Sequence, residues 1–77
     1  MAVVFKRFDR NEHEYNDIGV VIDREYIGDP TNPVQALNFD FEGWEAALIE
    51  EYEGNKQLRA VQVPDDDVDV DSFRQLQ

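Results

Sequence analysis

IGVVIDREYI, residues 18–27, is the stretch whose reading decides the fold. Ile18, Val20, Ile22 and Tyr26 fall at even spacing, with Asp23 and Glu25 at the odd positions between them. In a pleated backbone that alternation sends the apolar groups to one face and the charges to the other. It predicts a single half-buried strand.

Working towards the N-terminus, residues 9–17 (DRNEHEYND) are polar and without periodicity, so they read as a loop. Residues 2–8 (AVVFKRF) are β-branched and aromatic and predict a first strand. The two strands would pair as an antiparallel hairpin with an unusually long connection. Towards the C-terminus, Gly28, Pro30, Asn32 and Pro33 crowd into GDPTNP and mark a turn. VQALNF (34–39) then reads as a third strand and LRAVQV (58–63) as a fourth. Pro64 stops the latter because it has no N–H to give a ladder.

A helix is predicted between these strands. Asp40 is a natural N-cap, and Phe39 can staple against Trp44. Phe41, Trp44, Leu48 and Tyr52 recur every three or four residues as one apolar stripe, and Gly54 supplies a left-handed stop. Glu50, Glu51 and Glu53 sit at the negative end of the helix dipole, where cations are favoured. That local conflict has no structural benefit, which makes these glutamates candidates for function. The fold class is therefore α+β: a small antiparallel sheet of about four strands with one amphipathic helix packed on one face.

The chain has 77 residues, enough for one small domain with a limited core. There is no cysteine and only one histidine, so thiolate sites and the usual zinc sets are excluded. MAVVFKRFDR turns charged too soon for a signal peptide, and no apolar run reaches membrane-spanning length. The expected location is the cytoplasm, or the host cytoplasm if the chain is viral.

Charge is the dominant feature. Seven Lys and Arg against 18 Asp and Glu leave a net charge of −11. Residues 1–38 hold four basic and seven acidic groups, a net of −3, and residues 39–77 hold three and eleven, a net of −8. Such a surplus disfavours direct contact with nucleic acid or an anionic membrane and favours basic protein surfaces.

The densest acidic run is PDDDVDVDSF, residues 64–73. Asp65, Asp67, Asp69 and Asp71 alternate as the first ligands of a calcium loop do. However, Val70 stands where the loop's glycine belongs, and Leu76 where its bidentate glutamate belongs. No metal site and no cofactor is predicted. Ser72 and Thr31 are the only hydroxyl amino acids of their kinds, and neither has a histidine near it in sequence. His13 lies in the polar 9–17 stretch between Glu12 and Glu14. With no catalytic constellation, the expectation is a protein that is not an enzyme.

Residues 65–77 read as an edge strand or a tail. As a strand, it would turn Val68 and Val70 inward and set Asp67, Asp69 and Asp71 in an outward row about 6.7 Å apart, comparable to backbone phosphates. The candidate partner-binding residues are thus Asp65, Asp66, Asp67, Asp69 and Asp71, with Glu45, Glu50, Glu51 and Glu53 of the helix as a second rank. In size, acidity and lack of catalytic residues, the chain resembles the small acidic inhibitors that phages make against host nucleic-acid enzymes, including restriction and CRISPR effectors. The resemblance rests on composition and carries no motif.

It implies an inhibitor that mimics nucleic-acid phosphates and occupies a basic DNA- or RNA-binding surface of a host protein. The alternative is a small structural or assembly module, a homodimer joined through a strand edge, whose charge serves only solubility or salt adaptation. Arg outnumbering Lys, and Asp outnumbering Glu, fit salt adaptation, whereas the uneven distribution of charge does not.

Overall fold

The computed structural model describes residues 2–32, 52, 54 and 57–77. Among them, four strands form one open antiparallel sheet: β1 (Ala2–Asp9), β2 (Glu14–Ile22), β3 (Glu25–Gly28) and β4 (Leu58–Val63), in the order β3-β2-β1-β4. A 3-10 turn, Asp65–Asp67, and a short helix α1, Val70–Arg74, follow the last strand. The predicted strand 34–39 lies outside the described residues. So does the predicted helix, apart from Tyr52, which is helical and buried, and its stop signal Gly54, which lies in an exposed turn.

The first and last strands stand where their β-branched residues and Pro64 place them. The region between departs from the expected pattern in three ways. Residues 9–17 are not one long loop, because β2 begins at Glu14 and the connection shrinks to residues 10–13. Asp9 closes that connection: its Oδ1 accepts from the backbone N–H of Asn11 at 2.8 Å, and its Oδ2 accepts from the Asn16 amide at 3.3 Å. A short acceptor one residue from the turn substitutes for backbone partners there.

Second, residues 18–27 are not one strand. Asp23 and Arg24 both have positive φ (52° and 64°), the backbone of a two-residue hairpin turn that matches strand twist. The chain reverses at that point, and Ile22 pairs with Glu25.

Third, the expected single apolar face is divided between the two sides of the sheet. Phe5 is opposite Gly19 and Lys6 opposite Asp17, so Ile18 is the extra residue of a β-bulge. Ile18 and Tyr26 consequently share one face with Val3, Phe5, Val21, Leu58 and Ala60, where Tyr52 packs on them. Val20 and Ile22 point to the other face, with Ala2, Val4 and Ile27.

Both faces are therefore covered, and the core lies in two layers rather than one. On the first face, Phe5 has no exposed surface and meets the Tyr52 ring edge-on at 4.7 Å. A pair of that geometry adds about 0.5–1.5 kcal/mol beyond the area it buries. Tyr52 also donates its hydroxyl to Asn32 Oδ1 at 3.3 Å, tying the turn after β3 to the same layer. On the second face Phe73 of α1 is buried, with Val63, Val68 and Val70 partly buried around it. No helix among the described residues is long and apolar enough to cross a membrane.

Candidate functional site

The acidic segment after β4 is folded, and its fold is not the edge strand that the alternating valines suggest. Pro64 leaves the sheet, and the backbone N–H of Asp67 returns to its carbonyl at 3.0 Å, closing the 3-10 turn over Asp65, Asp66 and Asp67. Val68 and Asp69 are extended for one step, and α1 then starts. Asp69 is the N-cap. Its carboxylate accepts from the Ser72 backbone N–H at 3.4 Å and the Ser72 hydroxyl at 2.9 Å. Helix starts favour this because the first N–H groups have no partner within the helix. Asp71 then pairs with Arg74 at 3.2 Å one turn on, in the orientation the helix dipole prefers.

What survives of the sequence reading is the sidedness. Val68 and Val70 do turn inward, onto the second face of the sheet. Asp65, Asp66, Asp67, Asp69 and Asp71 are all exposed. The row of Asp67, Asp69 and Asp71 at strand spacing does not survive: two turns separate these carboxylates, and Asp69 and Asp71 are engaged locally. Phosphate-like regularity is therefore lost, while local charge density is kept. Glu45, Glu50, Glu51 and Glu53 lie outside the described residues.

The cations of β1 are matched by other carboxylates. Lys6 meets Asp17 at 2.9 Å, and Arg7 meets Asp29 at 3.6 Å. Thr31 donates to Asp29 from its backbone N–H (2.8 Å) and its hydroxyl (2.7 Å). These two bonds, with help from Arg7, hold the Asp29 carboxyl below the usual range. Arg59 lies over the Tyr15 ring at 4.3 Å. A second acidic group, Asp9, Glu12 and Glu14, stands at the β1–β2 turn. There a hydrogen bond with Glu14, and then repulsion from Asp9, raises the Glu12 carboxyl. His13 in the same turn has left-handed backbone and sets its ring edge-on to Phe8 at 6.5 Å.

One feature has no counterpart in the sequence reading. Between α1 and the β1–β4 pair runs a groove of about 510 Å³, floored by Val4, Val61 and Val63, walled by Val68, Phe73 and Leu76, and rimmed by charged side chains. Val61 and Leu76, 39% and 41% exposed, are the exposed large hydrophobic residues among the described residues, and both line it. Nothing in LRAVQV or RQLQ shows that these two side chains line one groove, because they lie fifteen positions apart and share it only once α1 folds back over the sheet. Among the described residues, no group of three or more His, Cys, Asp or Glu is placed to hold a metal ion. No family model, curated protein or solved structure matches the chain.

Proposed function

We propose that the chain is a non-enzymatic acidic inhibitor that occupies a basic DNA- or RNA-binding surface of another protein, in the manner of phage anti-restriction and anti-CRISPR proteins. The observation that carries the reading is the C-terminal acidic segment. Five exposed aspartates are held on two short turns against the sheet, with Phe73 buried beneath them. A flexible acidic tail would lose entropy on binding, whereas an anchored one presents its field already ordered. Asp66 and Asp67 are the charges to substitute first, because Asp69 and Asp71 also serve the helix. The helix read at 40–53 would supply Glu45, Glu50, Glu51 and Glu53 as a second rank, on the strength of the sequence alone.

Association driven by such a surface is steered by long-range attraction and weakens as salt rises. The test is retention of lysate proteins on the immobilised chain at low and high salt, with the retained proteins identified by mass spectrometry. A basic nucleic-acid-binding protein held at low salt, released at high salt and displaced by added DNA or RNA supports the proposal. The double substitution Asp66→Asn, Asp67→Asn should weaken that retention without changing the fold. Retention indifferent to both the substitution and the nucleic acid would remove the basis for an inhibitor. A stable dimer in sedimentation, with no basic protein retained, would favour the assembly module instead.

A further inference from the structure

We propose that the groove between α1 and the β1–β4 pair receives an aliphatic side chain from a Lys- and Arg-flanked segment of the partner protein. The inference rests on the acidic-inhibitor reading and adds a hydrophobic anchor to it.

The floor and walls are six aliphatic or aromatic side chains, and the volume, about 510 Å³, lies within the range of ligand pockets. Val61 and Leu76, the exposed large hydrophobic residues among the described ones, both line the groove. The rim decides what can enter. Lys6 and Asp17 cancel one another at 2.9 Å, leaving Asp67 and Asp69 as the unbalanced charge beside the opening. The Ser72 bonds to Asp69 orient its carboxylate and leave it exposed. An apolar floor with a negative rim fits a leucine-like side chain between cationic neighbours, and the rim repels an anionic amphiphile such as a fatty acid.

Charge also argues against the other occupants. A second copy would bring a net charge of −11 to the same rim. Residues 33–51 of the chain itself carry five carboxylates and no Lys or Arg. A basic partner alone is attracted at long range and rewarded at contact. Interfaces commonly divide the work in this way, with a small buried apolar anchor inside a charged, wet rim.

The experiment is a methyl and amide NMR titration of the full chain with three synthetic peptides: Ac-KRLRK-NH2, Ac-KRARK-NH2 and Ac-EELEE-NH2. The leucine peptide should shift the methyl signals of Val61, Val63, Val68 and Leu76 in a saturable way. The alanine peptide should bind at least about tenfold more weakly, because it lacks three carbons that the leucine would bury. The acidic peptide should not bind. Val61→Asp should abolish the leucine advantage while leaving the alanine peptide's affinity unchanged or raised. Unchanged Val3 and Val21 methyl signals on the opposite face would show that this variant is folded, and Leu76→Gln replaces it if they move.

Equal affinity for the leucine and alanine peptides would overturn the groove while leaving the acidic reading standing. Equal binding of the acidic peptide would overturn the charged rim. Concentration-dependent shifts of the groove methyls in the absence of peptide would make the occupant a second copy and refute the proposal. No shift with any peptide would count against both the groove and the reading beneath it.

Discussion

Replacing Phe73 by alanine should lower the stability of the whole domain, not merely loosen its C-terminus. Phe73 is 6% exposed. A buried aromatic side chain hides about 150–250 Å², which at about 25 cal/mol per Å² corresponds to roughly 4–6 kcal/mol. A compact unfolded state already hides part of that area, trimming the figure by roughly 10–40%. The remainder, about 2.5–5 kcal/mol, overlaps the range of about 3–5 kcal/mol for Phe→Ala in well-packed cores. A chain of 77 residues has a total stability of roughly 4–12 kcal/mol, so this one contact is a large share of it.

The loss spreads because of what Phe73 covers. It shares its cluster with Ala2, Val4, Val20 and Ile27, which belong to three strands of the sheet. Thermal unfolding followed by far-UV circular dichroism should therefore show Tm falling by roughly 10–40 °C, at about 4–8 °C per kcal/mol for a domain of this size. Hydrogen exchange should show Val4, Val20 and Ile27 amides losing protection together with those of α1. A fall in Tm of less than about 4 °C, with protection lost only in residues 65–77, would refute the claim that the acidic segment is docked through the sheet's own core.

Gly19→Ala should cost about 1–3 kcal/mol by overpacking, because a methyl at that position would overlap the ring and hydroxyl of Tyr26. The same substitution in a Tyr26→Ala background should cost much less, and additive effects in chemical denaturation would rule out the clash. Alkaline pH should destabilise the fold through its tyrosines. Burial pushes the Tyr52 hydroxyl up to about 12, against a counter-effect from Arg7, and burial also raises Tyr26. The folded state thus holds protons that the unfolded state releases from about pH 10. The stabilisation is complete below that value and is lost as pH rises towards about 12. Denaturation midpoints that stay level across this window, or that fall equally in Tyr52→Phe, would contradict it.

The first and last strands in chain order could be read from local chemistry. AVVFKRF is rich in β-formers, and LRAVQV ends where Pro64 removes a donor, so β1 and β4 stand within one residue of their predicted bounds. The hairpin at residues 23–24 carried no such mark. Asp23-Arg24 has no glycine or asparagine to signal left-handed backbone, and the pairing of Ile22 with Glu25 holds a conformation that the arginine alone would avoid. The start of β2 escaped notice for a different reason. Glu14, Asn16 and Asp17 are exposed, so that part of the strand is supported by pairing with β1 and shows no apolar alternation.

The acidic segment shows how one pattern can serve two structures. VDVDSF alternates as a strand does, yet Asp69 followed three residues later by Ser72, with Arg74 beyond, is also the start and end of a short helix. The period-two valines carried the strand reading. The groove was not available at all, since it depends on where α1 lies over the sheet.

The amino-acid sequence by itself determined the charge, its concentration in the second half, the lack of cysteine and of a second histidine, and the strands whose side chains favour extended backbone. These follow from residue type and near neighbours alone. The tertiary structure alone decided which face each apolar side chain occupies and whether the aspartates stand in a row or on turns. The physical reason is the two-residue period of a strand. One bulge at Ile18 and one reversal at Asp23 invert every assignment beyond them, and only the pairing of distant strands fixes where such interruptions fall.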